Sequence, residues 1–312
     1  MSTEKKGKSL YGQRASNVAK TWLYMTIFIA IFAAIGLFLA YYYNNVTIFY
    51  TALIFSVVMN FFSYWFSDKV ALNMAGAREL KSRSEHPEFW NAAENLSITA
   101  GLPMPKLYII NDPVPNAFAT GRNKNNSVVA ATTGLLSVLN KNELEGVVAH
   151  ELAHIGNKDI LLQTIVVIMV SAISFLSQMF FNAGAFAGRN SDEGKGGIFA
   201  LIGSIVAIVL APLAATVIQL AISRKREFLA DATGAIITRY PEGLASALQK
   251  ISQFNQPLTK AKDSMAHMYI VNPMGLRSQN PRGDKVSWFS KMFMTHPPVS
   301  ERISALLSMG EK

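Results

Sequence analysis

The sequence predicts a mainly α-helical integral membrane protein with four transmembrane helices and a cytoplasmic α+β domain. Half of the 312 residues are hydrophobic and only 16% are charged, against about 25% in an average soluble domain. Three long stretches, residues 21–67, 160–188 and 196–223, contain no charged side chain. Basic residues cluster beside these stretches, and such clusters set the orientation of membrane helices.

The first uncharged stretch is long enough for two spans, because one span needs roughly 20 apolar residues. Asn44 and Asn45 divide it, so we predict a break there and a second span from about Val46 to Phe66. Tyr and Trp gather at the ends of both spans, where aromatic rings favour the headgroup region. A cleaved signal peptide is the alternative, but its apolar part is typically only about 7–15 residues.

The two later stretches form a second pair of spans, separated by the turn at 189–195. Pro212 lies in the last span, where the membrane environment tolerates proline. A pair of buried core helices is the alternative, and uncharged runs of this length exceed what a soluble core needs. The predicted transmembrane hairpins are therefore residues 21–67 and 160–222.

Lys and Arg predict the orientation of the chain. They are frequent in the N-terminal tail and after the second and fourth spans, whereas the two turns inside the hairpins carry no net charge. By the positive-inside rule, the tail 1–20 and the regions 68–159 and 223–312 face the cytoplasm. We therefore expect a multi-pass protein of the cell (plasma or inner) membrane, with both termini cytoplasmic. The net charge of +9 then reflects topology and anionic lipid, and no nucleic-acid partner is expected.

The two cytoplasmic regions together form one predicted α+β domain. A helix opens at Pro87 and stops at Gly101, and "KLYII" and "SVVAATTGLL" have the composition of strands, the second turning into a helix near Thr133. Helices are also predicted at 242–254 and 298–309. Residues 255–296 are rich in Pro, Gly, Asn and Ser, which favours a loop.

The segment "VVAHELAHIGNKD", residues 147–159, contains the pattern His-Glu-x-x-His at the end of a predicted helix. Asn142 and Glu145 have the spacing of a capping box at its start, and Gly156 stands where a helix stop is expected. His150 and His154 lie one turn apart on such a helix, so both imidazoles can bind one Zn²⁺, and the neighbouring carboxylate of Glu151 can reach a water at the metal. Two packed histidines on a helix face are the alternative.

A catalytic zinc takes three protein ligands, so a third is needed. The chain has no cysteine, which leaves histidines and carboxylates. The other histidines are His86, His267 and His296; the segment "SRKREFLADATGA" adds Glu227 and Asp231, one turn apart. Because a membrane hairpin returns the chain to the side it left, Glu227 should emerge beside His154. A surface acid paired with Arg224 or Arg226 is the alternative.

Seven segments, in order, resemble the HtpX family of membrane-embedded zinc metalloproteases. They are "SDKVALNMAGARE", "AGLPMPKLYII", "NAFATGRN", "SVVAATTGLL", "HELAHIGNKD", "SRKREFLADA" and "THPPVSERI". The resemblance implies a zincin-like metalloprotease domain with one Zn²⁺ per chain. It also implies a role for each matching residue: His150, His154 and Glu227 as zinc ligands, Glu151 as catalytic acid/base, and Asp231 as a residue that orients a ligand histidine. Asp159 belongs to the same motif, either in such a role or as a structural acid at the helix end.

The roles of two further groups of residues each have two possible interpretations. "PNAFATG" resembles the edge strand beside the family's active site, where an extended substrate can add to the sheet. This implies Asn116, Ala117 and Phe118 as substrate contacts; an ordinary turn and strand start is the alternative. His296 in "THPP" either stabilises the oxyanion of the reaction or caps the last helix.

The resemblance implies ATP-independent protein quality control at the cytoplasmic face of the membrane. The expected substrates are misfolded or damaged membrane proteins, with soluble proteins as further candidates. No nucleotide is expected, because "GRNSDEGKG" lacks both the spacing of a P-loop and the Ser or Thr after its lysine. One alternative is a CAAX-type prenyl-protein processing metallopeptidase, a class with more spans. The other is a non-catalytic membrane scaffold with a structural metal, which would not need Glu151.

Overall fold

The first two helices form a long hairpin. The computed structural model describes residues 10–173, 224–254, 256, 258, 268–271 and 297–310, with side chains from residue 15. Helix α1 spans Leu10–Tyr42 and α2 spans Thr47–Ala75, and both are long and apolar enough to cross a membrane. The predicted break is confirmed, since Asn44 lies between them with a φ of 49°. Asn60 Nδ2 donates to the carbonyl of Met25 across the pair at 3.2 Å.

Helix α2 continues past residue 67, the predicted end of the first transmembrane hairpin. Its last turns pack on the sheet, where Ala71 and Leu72 are buried with Val128. Gly76 ends the helix in the left-handed conformation, with a φ of 63°. The second predicted span therefore continues without a break into the α+β domain as one helix.

A mixed four-stranded sheet has the order β1-β2-β4-β3. Its strands are β1 (Ala77–Glu79), β2 (Lys106–Ile110), β3 (Ala117–Asn123) and β4 (Asn126–Thr132). Strands β2 and β4 are parallel, and the other two pairs are antiparallel. Both predicted strands are confirmed, and β3 forms one edge of the sheet.

Helices cover the sheet and build the core. They are α3 (Pro87–Thr99), α4 (Thr133–Val138), α5 (Lys141–Gly156), α6 (Asp159–Ile173), α7 (Arg224–Thr238), α8 (Pro241–Ser252) and α9 (Val299–Gly310). Helix α5 is central: it packs on β3, α3, α7 and α8, and its Val148 and Leu152 are buried in the main hydrophobic cluster. The helices predicted near 87–99, 133, 242–254 and 298–309 are confirmed.

The start and end of α5 differ from the prediction. Asn140, and not Asn142, is the N-cap: its side chain accepts from the backbone N–H of Glu143, whose carboxylate accepts from the N–H of Asn140. The two Asn–Glu pairs have the same spacing, and burial decides between them, because Glu143 also accepts from Ser246 and Lys250 of α8. At the other end Gly156 stays helical, and Lys158 takes the left-handed conformation with a φ of 59°.

Helix α6 follows α5 after a bend of 84°. It forms the start of the predicted third span. The remainder of that span and the whole predicted fourth span, in residues 174–223, lie outside the described residues.

Two glycines let helices approach α5 closely. A Cβ at Gly146 would lie 2.6 Å from the backbone N of Leu244 in α8, and one at Gly234 of α7 would lie 3.1 Å from the backbone N of His150. The second approach brings the predicted ligands of α5 and α7 together.

Candidate metal centre

Helix α5 places two imidazoles at one point. His150 and His154 follow each other by one turn, and their Nε2 atoms are 3.1 Å apart. The rings are perpendicular, with centroids 4.7 Å apart. Both side chains are buried. The two nitrogens that face each other are thus held in the domain interior and directed at the same small volume.

Helix α7 adds a carboxylate to this pair. Glu227 Oε1 lies 3.7 Å from His154 Nε2, and Oε2 lies 3.9 Å from His150 Nε2. Ligand atoms of these three buried residues all lie within 4.8 Å of one another. The predicted meeting of Glu227 with the histidine helix is therefore observed.

The donor set fits a divalent metal ion. Two imidazoles and one carboxylate match the ligand set of a catalytic zinc, in which two tetrahedral ligand atoms are separated by roughly 3.3 Å when each bond is about 2.0–2.1 Å. The separations of 3.1, 3.7 and 3.9 Å need only small side-chain adjustments to reach that value. One metal ion fits among them.

Each histidine is oriented by a carboxylate on its other nitrogen. Asp231 Oδ1 lies 2.9 Å from His150 Nδ1, and Asp159 Oδ2 lies 3.1 Å from His154 Nδ1. A carboxylate at Nδ1 fixes the tautomer that leaves Nε2 free for a metal. Both acids are buried. Burial also lowers the pKa of His150 to about 4, which keeps its ring neutral. For His154, burial is outweighed by the carboxylates of Asp159, Glu227 and Glu151, which raise its pKa to about 9, so a metal at its Nε2 would displace a proton.

Arg302 of α9 holds Asp231 in place, and the sequence did not predict this role. Its Nε and Nη2 donate to the two carboxylate oxygens of Asp231 at 2.8 and 2.6 Å, and Nη1 donates to the carbonyl of Ile270 at 3.0 Å. Nη1 also lies 3.7 Å from Glu227. The guanidinium has 0% exposure. The one sequence signal is its place in the segment "THPPVSERI", which matched the family without indicating a role.

Asn17 of α1 reaches the other histidine, and it too was missed. Its Nδ2 donates to Asp159 Oδ1 at 2.5 Å and to the carbonyl of Asn157 at 3.1 Å. Its Oδ1 accepts from Arg226 at 3.4 Å. A residue in a candidate membrane helix is therefore hydrogen-bonded to the acid that orients His154.

Glu151 lies beside the three candidate ligands and faces the edge strand. It is buried, and the backbone N–H of Ala119 in β3 donates to its carboxylate. Burial, opposed in part by the charge of His154, raises the pKa of Glu151 to about 7. A carboxylate with a near-neutral pKa can both accept and return a proton at physiological pH.

The predicted substrate contacts are covered by the chain's own segment 268–271. Asn116 Nδ2 donates to the carbonyl of Val271 at 2.9 Å, and the Ala117 carbonyl accepts from the N–H of Ile270 at 3.0 Å. Phe118 meets Tyr269 edge-on, with ring centroids 5.1 Å apart. Asn116, Ala117 and Phe118 remain predicted contacts, at the start of β3. His296 lies outside the described residues.

The family of the chain follows from its sequence. The sequence model of peptidase family M48 matches residues 84–310. The chain belongs to peptidase family M48. That match spans the α+β domain from α3 to α9, without β1, and includes every residue of the candidate metal centre except Asn17. The M48 chain is therefore a metalloprotease, a hydrolase of peptide bonds, and its family implies a metal cofactor.

Relatives of this M48 chain cover almost its whole length. A protein named Protease HtpX homolog from Tropheryma whipplei is 46% identical over 303 residues, which is 97% of this chain and 99% of the relative. Another of that name from Dictyoglomus turgidum is 42% identical over 309 residues, 97% of this chain and 96% of the relative. The predicted resemblance to the HtpX family is confirmed, and helices α1 and α2 make the chain a membrane metalloprotease.

Among solved structures, that of S. mikatae Ste24p superposes on the M48 chain with a TM-score of 0.49 at 17% identity. The likeness covers 94% of this chain and 66% of that one. It is too distant to assign a function.

Proposed function

We propose that this chain is a zinc-dependent endopeptidase whose zinc is bound by His150, His154 and Glu227. The observation that carries the proposal is the convergence of two imidazole Nε2 atoms and one carboxylate within 4.8 Å, in the domain interior. A His-His-carboxylate set leaves one coordination position open, which is the arrangement of catalytic zinc sites. When bound, Zn²⁺ supplies Lewis acidity to the scissile carbonyl and acidifies the attacking water.

Glu151 is the proposed acid/base of the reaction. Its carboxylate lies next to the ligand pair, and its pKa of about 7 suits proton transfer in both directions. In the proposed reaction it takes the proton of the attacking water and then delivers that proton to the leaving amine. Asp231 and Asp159 hold His150 and His154 in the ligating tautomer, and His296 is a further candidate for oxyanion stabilisation.

The proposed substrates are misfolded or damaged membrane proteins, cleaved at the cytoplasmic face without ATP. An extended segment would pair with the outer edge of β3, with Asn116, Ala117 and Phe118 around its backbone and side chains. Proximity to the membrane supports this choice, because α6 begins at Asp159, beside the metal centre, and forms the start of the predicted third span.

The proposed topology has four spans. The tail 1–20 is cytoplasmic, the hairpins are residues 21–67 and 160–222, and the protease domain consists of 68–159 and 223–312. The distribution of Lys and Arg supports the cytoplasmic position of both termini and of the site in the cell membrane.

The decisive experiment compares wild type with Glu151→Gln in metal analysis and in cleavage of a casein-like substrate. We expect one zinc per chain in both proteins, and loss of hydrolysis in Glu151→Gln by at least about 100-fold. Retained hydrolysis would show that Glu151 is not the acid/base. A different metal in the active wild type would contradict the zinc assignment, and zinc without any hydrolysis in the wild type would favour the scaffold alternative.

A further inference from the structure

A cavity of about 750 Å³ lies where the C-terminal half of α2 meets the β3–β4 hairpin. Its floor includes Leu72 and Val128, which are buried in the contact between α2 and the sheet. None of the residues of the candidate metal centre lines it, so the catalytic function does not account for this cavity.

One wall of the cavity is aromatic. Phe61, Trp65 and Phe66 of α2 line it and expose 56%, 45% and 37% of their surface. These rings belong to a helix that is long and apolar enough to span a membrane. Exposed aromatic rings near the end of such a helix are typical of the boundary between acyl chains and headgroups.

The rim of the cavity is basic. Lys69, Lys106 and Arg122 line the cavity, and Asp68 is the one acidic residue among the lining residues. Arg122 from β3 lies over the ring of Trp65 at 4.4 Å, and Lys69 lies 5.5 Å from the ring of Phe66. The cationic rim and the aromatic wall are therefore in direct contact.

The remaining contacts leave the rim cationic. Lys106 Nζ lies 3.4 Å from Glu79, in a pair whose side chains are 68% and 44% exposed, and ion pairs at the surface are weak. The hairpin residues Asn125, Asn126 and Ser127 also line the cavity and add hydrogen-bonding groups. An anionic headgroup with hydroxyl or ester oxygens matches this chemistry.

We propose that this cavity binds one anionic phospholipid, with its phosphate at Lys69, Lys106 and Arg122 and an acyl chain along Phe61 and Trp65. Phe61 and Lys69 are separated by eight positions on α2, or about 12 Å along the helix axis. That distance spans the headgroup and the upper part of an acyl chain. An acidic peptide would match the basic rim, but it would leave Phe61 and Trp65 without an apolar partner.

The test measures lipid binding to the full-length, delipidated protein in detergent micelles by native mass spectrometry. Phosphatidylglycerol is titrated against phosphatidylcholine with the same acyl chains. The pocket variant is Lys69→Gln/Lys106→Gln/Arg122→Gln. The matched control, Lys81→Gln/Arg83→Gln/Lys141→Gln, removes the same charge from exposed positions outside the cavity.

We expect wild type and control to bind one phosphatidylglycerol at least about tenfold more tightly than phosphatidylcholine, and the pocket variant to lose this preference, since the basic side chains attract the net negative charge that only phosphatidylglycerol carries. Equal affinity of wild type for both lipids, or an equal loss in the control, would overturn the proposal. So would competition by glycerol phosphate or by a Glu-rich peptide at the lipid's own concentration, which would assign the site to free phosphate esters or to protein.

Folding is checked by the zinc content of each variant, which should stay at the wild-type value because no metal-centre residue is changed. If the triple variant does not fold, the single Lys69→Gln variant is used, since Lys69 is exposed on α2. It should lower the preference by at least about threefold, and an unchanged preference would contradict the proposal.

Discussion

Arg302 and Asp231 form a bidentate ion pair next to His150, with hydrogen bonds of 2.6 and 2.8 Å. Both side chains are almost completely buried, and Asp231 is 2.9 Å from His150 Nδ1. The charge of Arg302, together with its hydrogen bonds, holds the pKa of Asp231 below its usual range despite burial. Asp231 is therefore an anion that orients His150, and Arg302 keeps it ionised and in place.

Arg302→Lys should weaken metal binding. Lysine keeps the positive charge but cannot make both hydrogen bonds in the fixed plane of a guanidinium, so Asp231 would hold His150 less firmly. We expect the zinc affinity to fall by about 10- to 100-fold. The measurement is a zinc titration against a competing chelator, with Arg83→Lys, on an exposed pair with Glu94, as control. Unchanged zinc affinity in Arg302→Lys would contradict this role.

Asn17→Ala should also lower zinc affinity, although residue 17 lies in α1 and outside the family match. The substitution removes the hydrogen bond to Asp159 and with it one support of His154. A loss of about 3- to 30-fold is expected. Thr26→Ala is the control, because that hydroxyl bonds only the backbone of its own helix. Equal zinc affinities for the two variants would show that α1 does not support the site.

Gly234→Ala should impair the site, whereas Gly156→Ala should not. A Cβ at Gly234 lies 3.1 Å from His150 N and would push α7 from α5 by a few tenths of an ångström, moving Glu227 and Asp231 with it. At Gly156 the nearest atom is 3.7 Å away, and alanine favours the helix by about 1 kcal/mol. Melting temperature and zinc affinity should fall only in Gly234→Ala. If the melting temperature and the zinc affinity also fell in Gly156→Ala, the distance between α5 and α7 would not explain the loss in Gly234→Ala.

The capping box of α5 predicts a pH-dependent contribution to stability. Burial opposes ionisation of Glu143, but its hydrogen bonds from Lys250, Ser246 and Asn140 outweigh this and lower its pKa below 4.5. Since the folded-state pKa is the lower one, the stabilisation is present above the unfolded value and is lost as the pH falls through the folded value.

Glu143→Gln should therefore lower the melting temperature at pH 7.5 by several degrees, corresponding to about 1–3 kcal/mol for the lost charged hydrogen bonds. The difference from wild type should shrink steadily as the pH drops below 4.5. Glu145→Gln, whose lysine partner is 4.0 Å away and exposed, should differ little from wild type throughout. A difference for Glu143→Gln that does not change with pH would exclude the carboxylate charge as its source.

The local part of the site could be predicted from the sequence because helix geometry alone brings its atoms together. His150, Glu151 and His154 need only the periodicity of one helix. Glu227 needed one further argument, the return of the chain through a membrane hairpin. The strands β2 and β4 and most helix bounds also follow from local composition and from Pro and Gly positions.

The rest depends on tertiary contacts that leave no local pattern. Arg302 meets Asp231 across 71 positions and Asn17 meets Asp159 across 142, so neither pair has a spacing that a sequence can display. The N-cap of α5 is at Asn140 and not at the predicted Asn142, again because of a tertiary contact. Asn140 and Asn142 are each followed by a glutamate at the spacing of a capping box, so the local sequence predicts either as the N-cap. The contact of Glu143 with α8 selects Asn140.

The segment 268–271 has a consequence for which proteins are cleaved. Ile270 bonds to the edge strand through its N–H and to Arg302 through its carbonyl, and Glu151 is only 2% exposed. A substrate that pairs with Ala117, as proposed, would displace this segment first, and the free energy of opening would reduce its apparent affinity. The proposed endopeptidase would then select its substrates by how long they remain unfolded.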